Sequence, residues 1–381
     1  MHSQIIQSLS GIPIAQWQSL LGGEQNPFLQ YEFLSALEHH GCVSPSLGWQ
    51  AHHVLHTDAD RIIGMLPAYI KYNSYGELVF DWAWAEAYGR AGLHYYPKLV
   101  CAVPYTPASG PRLLASTETA RAQLIQTLQQ QVELHQLSSA HVLFTQEADN
   151  QAFANAGWLA RLGCQFHWHN QGYANFDDFL QRLSSRKRKQ IRKEREQAHS
   201  HGLVIERILG CDASNEQWQA MTRFYRSTFE EKNGLATLNL PFFLDIARSM
   251  GQQVLLILAR RGDNYLAGAL LFHNQHTLWG RHWGCDQNLP GLHFELCYYQ
   301  GIEFAIENQL QTFEPGAQGE HKIARGFLPT ATWSWHWIAD PQFRRAISDY
   351  CQREQHAMRQ YMQELQNHSP YRHEDNSTCS A

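Results

Sequence analysis

Charge is scarce in this chain of 381 residues: 17% are Asp, Glu, Lys or Arg, against 44% hydrophobic and 12% aromatic. Few charges beside 12 tryptophans exclude intrinsic disorder for most of the chain. Long apolar runs are missing as well. The longest, Val254–Ala259, is six residues and falls far short of a bilayer span, so no transmembrane segment is expected. The eight cysteines form no C-x-x-C pair, which argues against a zinc site or a dense disulfide framework and for free thiols in a reducing cytoplasm. Met1–Leu20 has neither a basic n-region nor an apolar core, so no secretory signal is expected. Asn376-Ser377-Thr378 fits a glycosylation sequon but stands in a polar tail. His52-His53-x-x-His56 and His167-x-His169 lack a matched carboxylate set, so no metal centre is expected. P-loop and G-x-G-x-x-G signatures are absent.

What is present is enough apolar sequence for two or three cores. Pro27–His40 carries Phe28, Tyr31, Leu34 and Leu37 at helical spacing, and strand-like runs follow at His52–His56 and Arg61–Tyr69. Tyr72–Pro111 is aromatic, punctuated by Gly and Pro, and reads as a long irregular loop. Thr117–Leu137 reads as a helix, and His141–Thr145 and Gln165–Asn170 as strands. The second half repeats this order: helices at Ser214–Lys232 (Ser214 the N-cap) and Pro241–Met250, then strands at Val254–Arg260, Ala267–Phe272 and Thr277–Gly284. A helix from Gly291 to about Asn308 follows, then strands at Thr312–Pro315 and Thr332–Ile338 and a helix over Pro341–Leu365. In Thr332–Ile338, Trp333, Trp335 and Trp337 share one face. The predicted class is mixed α/β in two similar units, residues 1–174 and 201–366. Residues 175–200 connect them and 367–381 form a disordered tail.

The connection is anomalous. Arg186 to Arg195 holds seven basic residues and one acid, so the net charge of −5 divides into +6 there and −11 elsewhere. A helix capped by Asn175 places Phe176, Leu180, Leu183, Ile191 and Ala198 on an apolar stripe. Arg182/Arg186/Lys189/Lys193 and Arg188/Arg192/Arg195 form two rows on the opposite face. Two readings stand. Arg188, Lys189, Arg192 and Lys193 contact a polyphosphate, an RNA such as tRNA, or an anionic membrane surface; or the face is solvated and paired within the molecule. The stretch has no interleaved aromatics, so base stacking is not indicated.

Two further stretches concentrate chemistry. In Leu278–Glu295 a strand breaks at Gly284, a Gly/Pro turn follows, and a helix N-terminus faces the strand end, a place for an anion or developing oxyanion. Arg281 and His282 stand on the strand, and His293 and Glu295 on the first helical turn. In Phe313–Phe327 a strand end enters a Gly-rich loop with Glu314, Gln318, Glu320, His321, Lys322 and Arg325. In each stretch a purely structural role, Glu295 on the helix dipole or Glu320 in a surface pair, stands beside the functional one.

Phe313–Pro329 (F-E-P-G-A-Q-G-E-H-K-I-A-R-G-F-L-P), Leu183–Arg195 (L-S-S-R-K-R-K-Q-I-R-K-E-R), Gly291–Tyr299 (G-L-H-F-E-L-C-Y-Y) and Asn26–Leu37 (N-P-F-L-Q-Y-E-F-L-S-A-L) resemble a bacterial family. It is the family labelled peptidoglycan biosynthesis/recognition, related to Fem-type aminoacyltransferases, and the resemblance covers about residues 26–366. It implies two tandem GNAT-like folds and N-acyl or aminoacyl transfer to an amine-bearing acceptor, linked to cell-wall precursors. The resemblance places the cleft between Thr277–Gly284 and Gly291–Asn308. Acyl-CoA or aminoacyl-tRNA would be co-substrate, with no tightly bound cofactor. The [Gln/Arg]-x-x-Gly-x-[Gly/Ala] pyrophosphate signature and the long coiled-coil arm of several Fem-type enzymes are both missing, so the donor stays open. In this reading His282 or Glu295 is the base, and Glu320 and His321 are further catalytic candidates. Gly291, Leu292 and His293 turn N–H groups to the oxyanion, while Arg281, Gln318, Lys322 and Arg325 hold substrate. The other reading is a non-catalytic module that binds a cell-wall precursor or nucleic acid through the basic helix.

Overall fold

The computed structural model describes residues 2–231, 234–317 and 319–372. Eleven strands form one sheet among these residues. From one edge the order is Val204–Leu209, Val254–Arg261, Asn264–His273, Thr277–Cys285, Thr312–Glu314, Leu159–His169, Leu328–Ile338, Ser139–Thr145, Lys98–Cys101, Tyr69–Lys71 and Trp49–Ala51. A second sheet joins His2–Ile6, His53–Asp58, Arg61–Leu66 and Leu114–Ala115. Val254–Ala259, the longest apolar run, is at most 1% exposed, as expected of a strand covered on both faces.

The two halves interlock rather than abut. Leu159–His169, the last strand before the connection, lies between two strands of the second half, Thr312–Glu314 and Leu328–Ile338. Leu328–Ile338 in turn pairs with Ser139–Thr145 of the first half. The strands before and after position 174/175 therefore belong to one continuous sheet. Because Leu328–Ile338 is central, both its faces are covered: Trp335 packs in a core with Phe153, and Ser334 and His336 are buried opposite.

Local chemistry explains most element boundaries. Ser214 accepts from Gln217 N while the Gln217 side chain accepts from Ser214 N, a capping box that starts helix Asn215–Glu230. Trp218, Met221, Phe224 and Tyr225 of that helix are buried against the sheet. Gly284 is required beneath it, since a β-carbon there would come within 1.8 Å of Phe224 O.

Four expectations need correction. Residues 72–111 are not an irregular loop, because they hold helix Trp82–Arg90 and the central strand Lys98–Cys101; the apolar residues that looked like loop aromatics, Trp84 and Tyr88, are buried. The connecting helix is two helices. Asn175 caps Phe176–Arg182 by accepting from Asp178 N, and the basic helix Ser185–His199 begins only after Leu183 and Ser184 take extended backbone. The 291–308 helix contains a π-turn at Glu295–Tyr299. The tail is ordered further than expected: helix Pro341–Asn367 precedes Tyr371, which bridges to Leu183 and donates to Gly326 O at 2.8 Å. The sequon at Asn376 lies outside the described residues.

Candidate active site

Thr277–Cys285 and Thr312–Glu314 run parallel and pair at Thr277–Thr312, Leu278–Phe313 and Trp279–Glu314, where the ladder stops. Pro315 has no N–H with which to continue it. At the same level a bulge between Leu270 and Leu271 shifts the neighbouring ladder. The strands part, and the gap is a cavity of about 250 Å³. Arg281, His282 and Trp283 border it on one strand and Gly316 and Ala317 on the other exit. His293, Cys297 and Tyr298 come from the following helix, and His321 and Lys322 from the turn Glu320–Arg325.

The groups in this cavity are tuned mainly by desolvation. Lys322 is 3% exposed, donates from Nζ to Gly316 O at 2.8 Å, and is pushed down by burial to about 8. His321 Nε2 lies 2.8 Å from the Tyr298 hydroxyl. Burial, then the charges of Arg325 and Lys322, hold that imidazole below its ordinary range. Burial raises the Tyr298 phenol strongly, so it is a protonated donor at neutral pH. His282 packs its ring edge-on against Tyr225, centroids 4.7 Å apart, and burial followed by the charge of Arg281 keeps it neutral. Arg281 donates to the carbonyl of Tyr105 and lies over the Phe28 ring, so the first half supports this wall. His293 stacks on Trp283 at 5.1 Å. Glu314, at the last paired position, is raised by burial to about 8 despite the positive charge of Arg281.

Thus Arg281, His282, His293, His321 and Lys322 converge, while other sequence candidates do not. Glu295 is fully buried on another side of its helix, where Arg195 grips both its oxygens at 2.9 and 3.1 Å and Gln300 donates at 2.8 Å. That ion pair takes it out of the base role. Arg325 is likewise an internal strut: it pairs with Glu194 at 2.8 Å, donates to His321 O at 2.6 Å, and covers the Phe294 ring. Glu320 is exposed and accepts from the Tyr361 hydroxyl at 2.6 Å, away from the cavity. Gly291 has φ 82° and a β-carbon there would come within 2.6 Å of Glu194 O, Leu292 N donates to Leu289 O, and neither residue borders the cavity. Gln318 lies outside the described residues. On the basic helix, Lys189 and Lys193 are exposed, Arg188 is half-buried near Ser185, and Arg192 makes a loose 3.4 Å pair with Asp177.

Tyr298 and Cys297 were not singled out from sequence. Tyr298 reaches the cavity from the π-turn, whose extra residue re-phases the helix; a 3.6-residue spacing carries no sign of it. Glu314 was visible only as one acid in a polar loop.

Among the described residues, no group of three or more His, Cys, Asp or Glu is placed to hold a metal ion, and no helix is long and apolar enough to cross a membrane. A parallel pair that splays over a cleft, beside a helix, in two interlocked units defines the class as a tandem GNAT-like fold. FemX is similar over 91% of this chain and 100% of its own, with TM-score 0.54 and 12% identity. The C-terminal domain of a putative lysylphosphatidylglycerol synthetase from Agrobacterium fabrum aligns over 88% of this chain and 95% of its own (TM-score 0.51, 9% identity). L-PGS from Bacillus licheniformis aligns over 88% and 96% (TM-score 0.51, 10% identity). At these identities the likeness is one of fold. No curated protein matches the sequence. Residues 8–373 match the FemAB-like family, described as peptidoglycan biosynthesis/recognition, and the chain belongs to that family.

Proposed function

We propose that the protein transfers an acyl or aminoacyl group from a thioester or ester donor to an amine, in the cleft opened between Thr277–Cys285 and Thr312–Glu314. The observation that carries this is the parting of two parallel strands around a cavity in which a buried lysine, a neutral imidazole and a phenol converge. Among the described residues the edge of Thr277–Cys285 beyond Trp279 faces no partner strand, so N–H groups on that edge suit a tetrahedral oxyanion. Glu314, raised to about 8, suits a base that takes the ammonium proton of the acceptor. Tyr298, hydrogen-bonded to His321, suits the acid that protonates the departing thiolate or alkoxide. Lys322 holds an anionic group of the donor or acceptor.

FemX and the lysylphosphatidylglycerol synthetases support an aminoacyl ester as donor, and the family description supports a cell-wall precursor as acceptor. Acyl-CoA is the alternative donor. The exposed Lys189 and Lys193 suit contact with a polyanionic part of the donor or with an anionic surface. The test offers acetyl-CoA or aminoacyl-tRNA with an amine panel and follows thiol release or deacylation. Amine-dependent turnover that is lost in Lys322→Met and Glu314→Gln supports the reading. Turnover unchanged in both variants, or none with any donor, overturns it.

A further inference from the structure

A second cavity of about 250 Å³ lies over Leu159–His169 and Leu328–Ile338, and Ala317 borders both cavities. Leu78, Val79, Phe80 and Phe144 give it an apolar wall. Ser334 stands at its floor, where a bulge between Trp333 and Ser334 breaks the register with Ser139–Thr145. Bulges re-aim side chains beside functional sites.

From Ser334 an unbroken chain of contacts runs into the core. Ser334 Oγ is 3.0 Å from His336 Nε2, and His336 Nδ1 is 2.6 Å from His141 Nδ1. His141 Nε2 is 3.2 Å from the Tyr95 hydroxyl and 2.7 Å from Ser139 Oγ. Tyr95 donates to Asp81 at 2.5 Å, and Asp81 also accepts from Ser74 and Lys98. Every residue of the chain is at most 4% exposed.

Its polarity is fixed from the far end. Burial pushes the Asp81 carboxyl up, but the charge of Lys98 and hydrogen bonds from Lys98, Ser74 and Tyr95 outweigh it, so Asp81 is ionised and can only accept. Tyr95 therefore donates to Asp81, and its oxygen is left to accept from His141 Nε2–H; Ser139 Oγ can accept the same proton. Burial keeps both imidazoles neutral; with the His141 proton on Nε2, the tautomer that serves both Tyr95 and Ser139, His141 Nδ1 is a bare lone pair and His336 donates to it from Nδ1. His336 Nε2 is then left unprotonated, aimed at the hydroxyl of Ser334. This is the arrangement of an activated nucleophile: a base in reach, oriented by a third group and anchored on a carboxylate.

We propose that this cavity is a second acyl site, in which Ser334 is acylated by a small activated ester or thioester. Ser334 Oγ bonds to the acyl carbon, and the bond from that carbon to the alkoxide or thiolate breaks. The hydroxyl proton passes to His336 Nε2 and on to the leaving group. Arg161, on the same cavity and held in place by Glu354 at 2.7 and 2.8 Å and by Phe80 O at 2.8 Å, has guanidinium N–H groups left over to donate to the developing oxyanion. His141 and Tyr95 act through His336 as positioning residues.

The test treats the full chain with a fluorophosphonate probe and, separately, with p-nitrophenyl acetate, and maps the adduct by peptide mass spectrometry. The expected result is one adduct on Ser334, absent in Ser334→Ala and formed at least about 10-fold more slowly in His336→Gln. In His141→Gln the pH profile of labelling shifts, which a merely structural role would not produce. An unlabelled Ser334 in the unmodified protein overturns the proposal, as does an unchanged rate in folded His336→Gln. The map of the unmodified protein decides alone, so a variant that fails to fold leaves the test intact. Labelling of Ser334 is read without amine transfer, so failure here is separable from failure of the second-half cleft.

Discussion

Among the described residues two parallel strand pairs split, and the molecule treats them in opposite ways. In the first half, Lys98–Cys101 pairs with Ser139–Thr145 at three registers, ending at Cys101–Val142. The gap beyond is filled by the chain itself. Gly110 N donates to Phe144 O at 3.1 Å, and the buried Arg112 guanidinium donates to Leu143 O at 2.9 Å and Ala108 O at 2.7 Å. Gln165 closes over Pro107 O at 2.8 Å. In the second half the pairing also ends after three registers, but Thr277–Cys285 runs on and the chain turns away at Asp286, leaving the cleft open. A filled split satisfies its polar edge groups internally and contributes stability. An open one leaves them for a ligand.

That contrast can be broken experimentally. The largest expected effect is Arg112→Ala, which strips the carbonyls of Ala108, Pro111 and Leu143 of their donor inside the filled split: a loss of about 3–5 kcal/mol in urea unfolding. A change below about 1 kcal/mol would mean that the plug is not structural. Lys322→Met in the open cleft should behave the other way. It replaces a buried, desolvated ammonium by an apolar chain of similar length, so stability should stay within about 1 kcal/mol while transfer falls about 100-fold. A large stability loss there would make the cleft a second plug.

Glu314→Gln sharpens the chemistry. As a base Glu314 must be ionised, so kcat should rise with pH through about 8 and the variant should lose that limb along with about 100-fold in rate. Lys322 carries its charge below about 8, so KM for an anionic donor should rise as pH climbs through the same range. The smallest effect is expected from Lys189→Glu with Lys193→Glu. Both side chains are exposed, so stability should move by no more than about 0.5 kcal/mol, while the salt dependence of polyanion binding should flatten.

Much of the fold was legible because apolar spacing and caps are local signals. The helices at Asn215–Glu230 and Leu240–Met250 and the strands at Val254–Arg261, Asn264–His273 and Thr277–Cys285 follow directly from them. The short edge strands His2–Ile6 and Val204–Leu209 escaped because they are half-exposed and carry no buried run. Lys98–Cys101 escaped because its buried Lys98 reads as a surface residue until Glu77 and Asp81 are seen beside it. For the site, the loop bearing His321 and Lys322 and the strand bearing Arg281 and His282 were legible as dense ionisable stretches. Which of their neighbours face the cavity was not.

The basic segment shows the same division. Its seven cations promised an anion-binding face, yet Arg195 is spent on Glu295 and Glu303, and its lone acid, Glu194, pairs with Arg325. One helix therefore ties both walls of the cleft together and leaves the outward cations exposed.

The sequence by itself determined the mixed α/β class, the family and the two chemically dense stretches, since periodicity, composition and motif are properties of neighbours along the chain. Only the tertiary structure decided that Glu295 and Arg325 are struts, that Tyr298 borders the cleft and Glu314 ends the paired strand beside it, and that one split is filled and the other open. Those outcomes depend on which charges are desolvated together, and partners 100 or more positions apart, such as Arg195 and Glu295, meet only when the sheet is assembled.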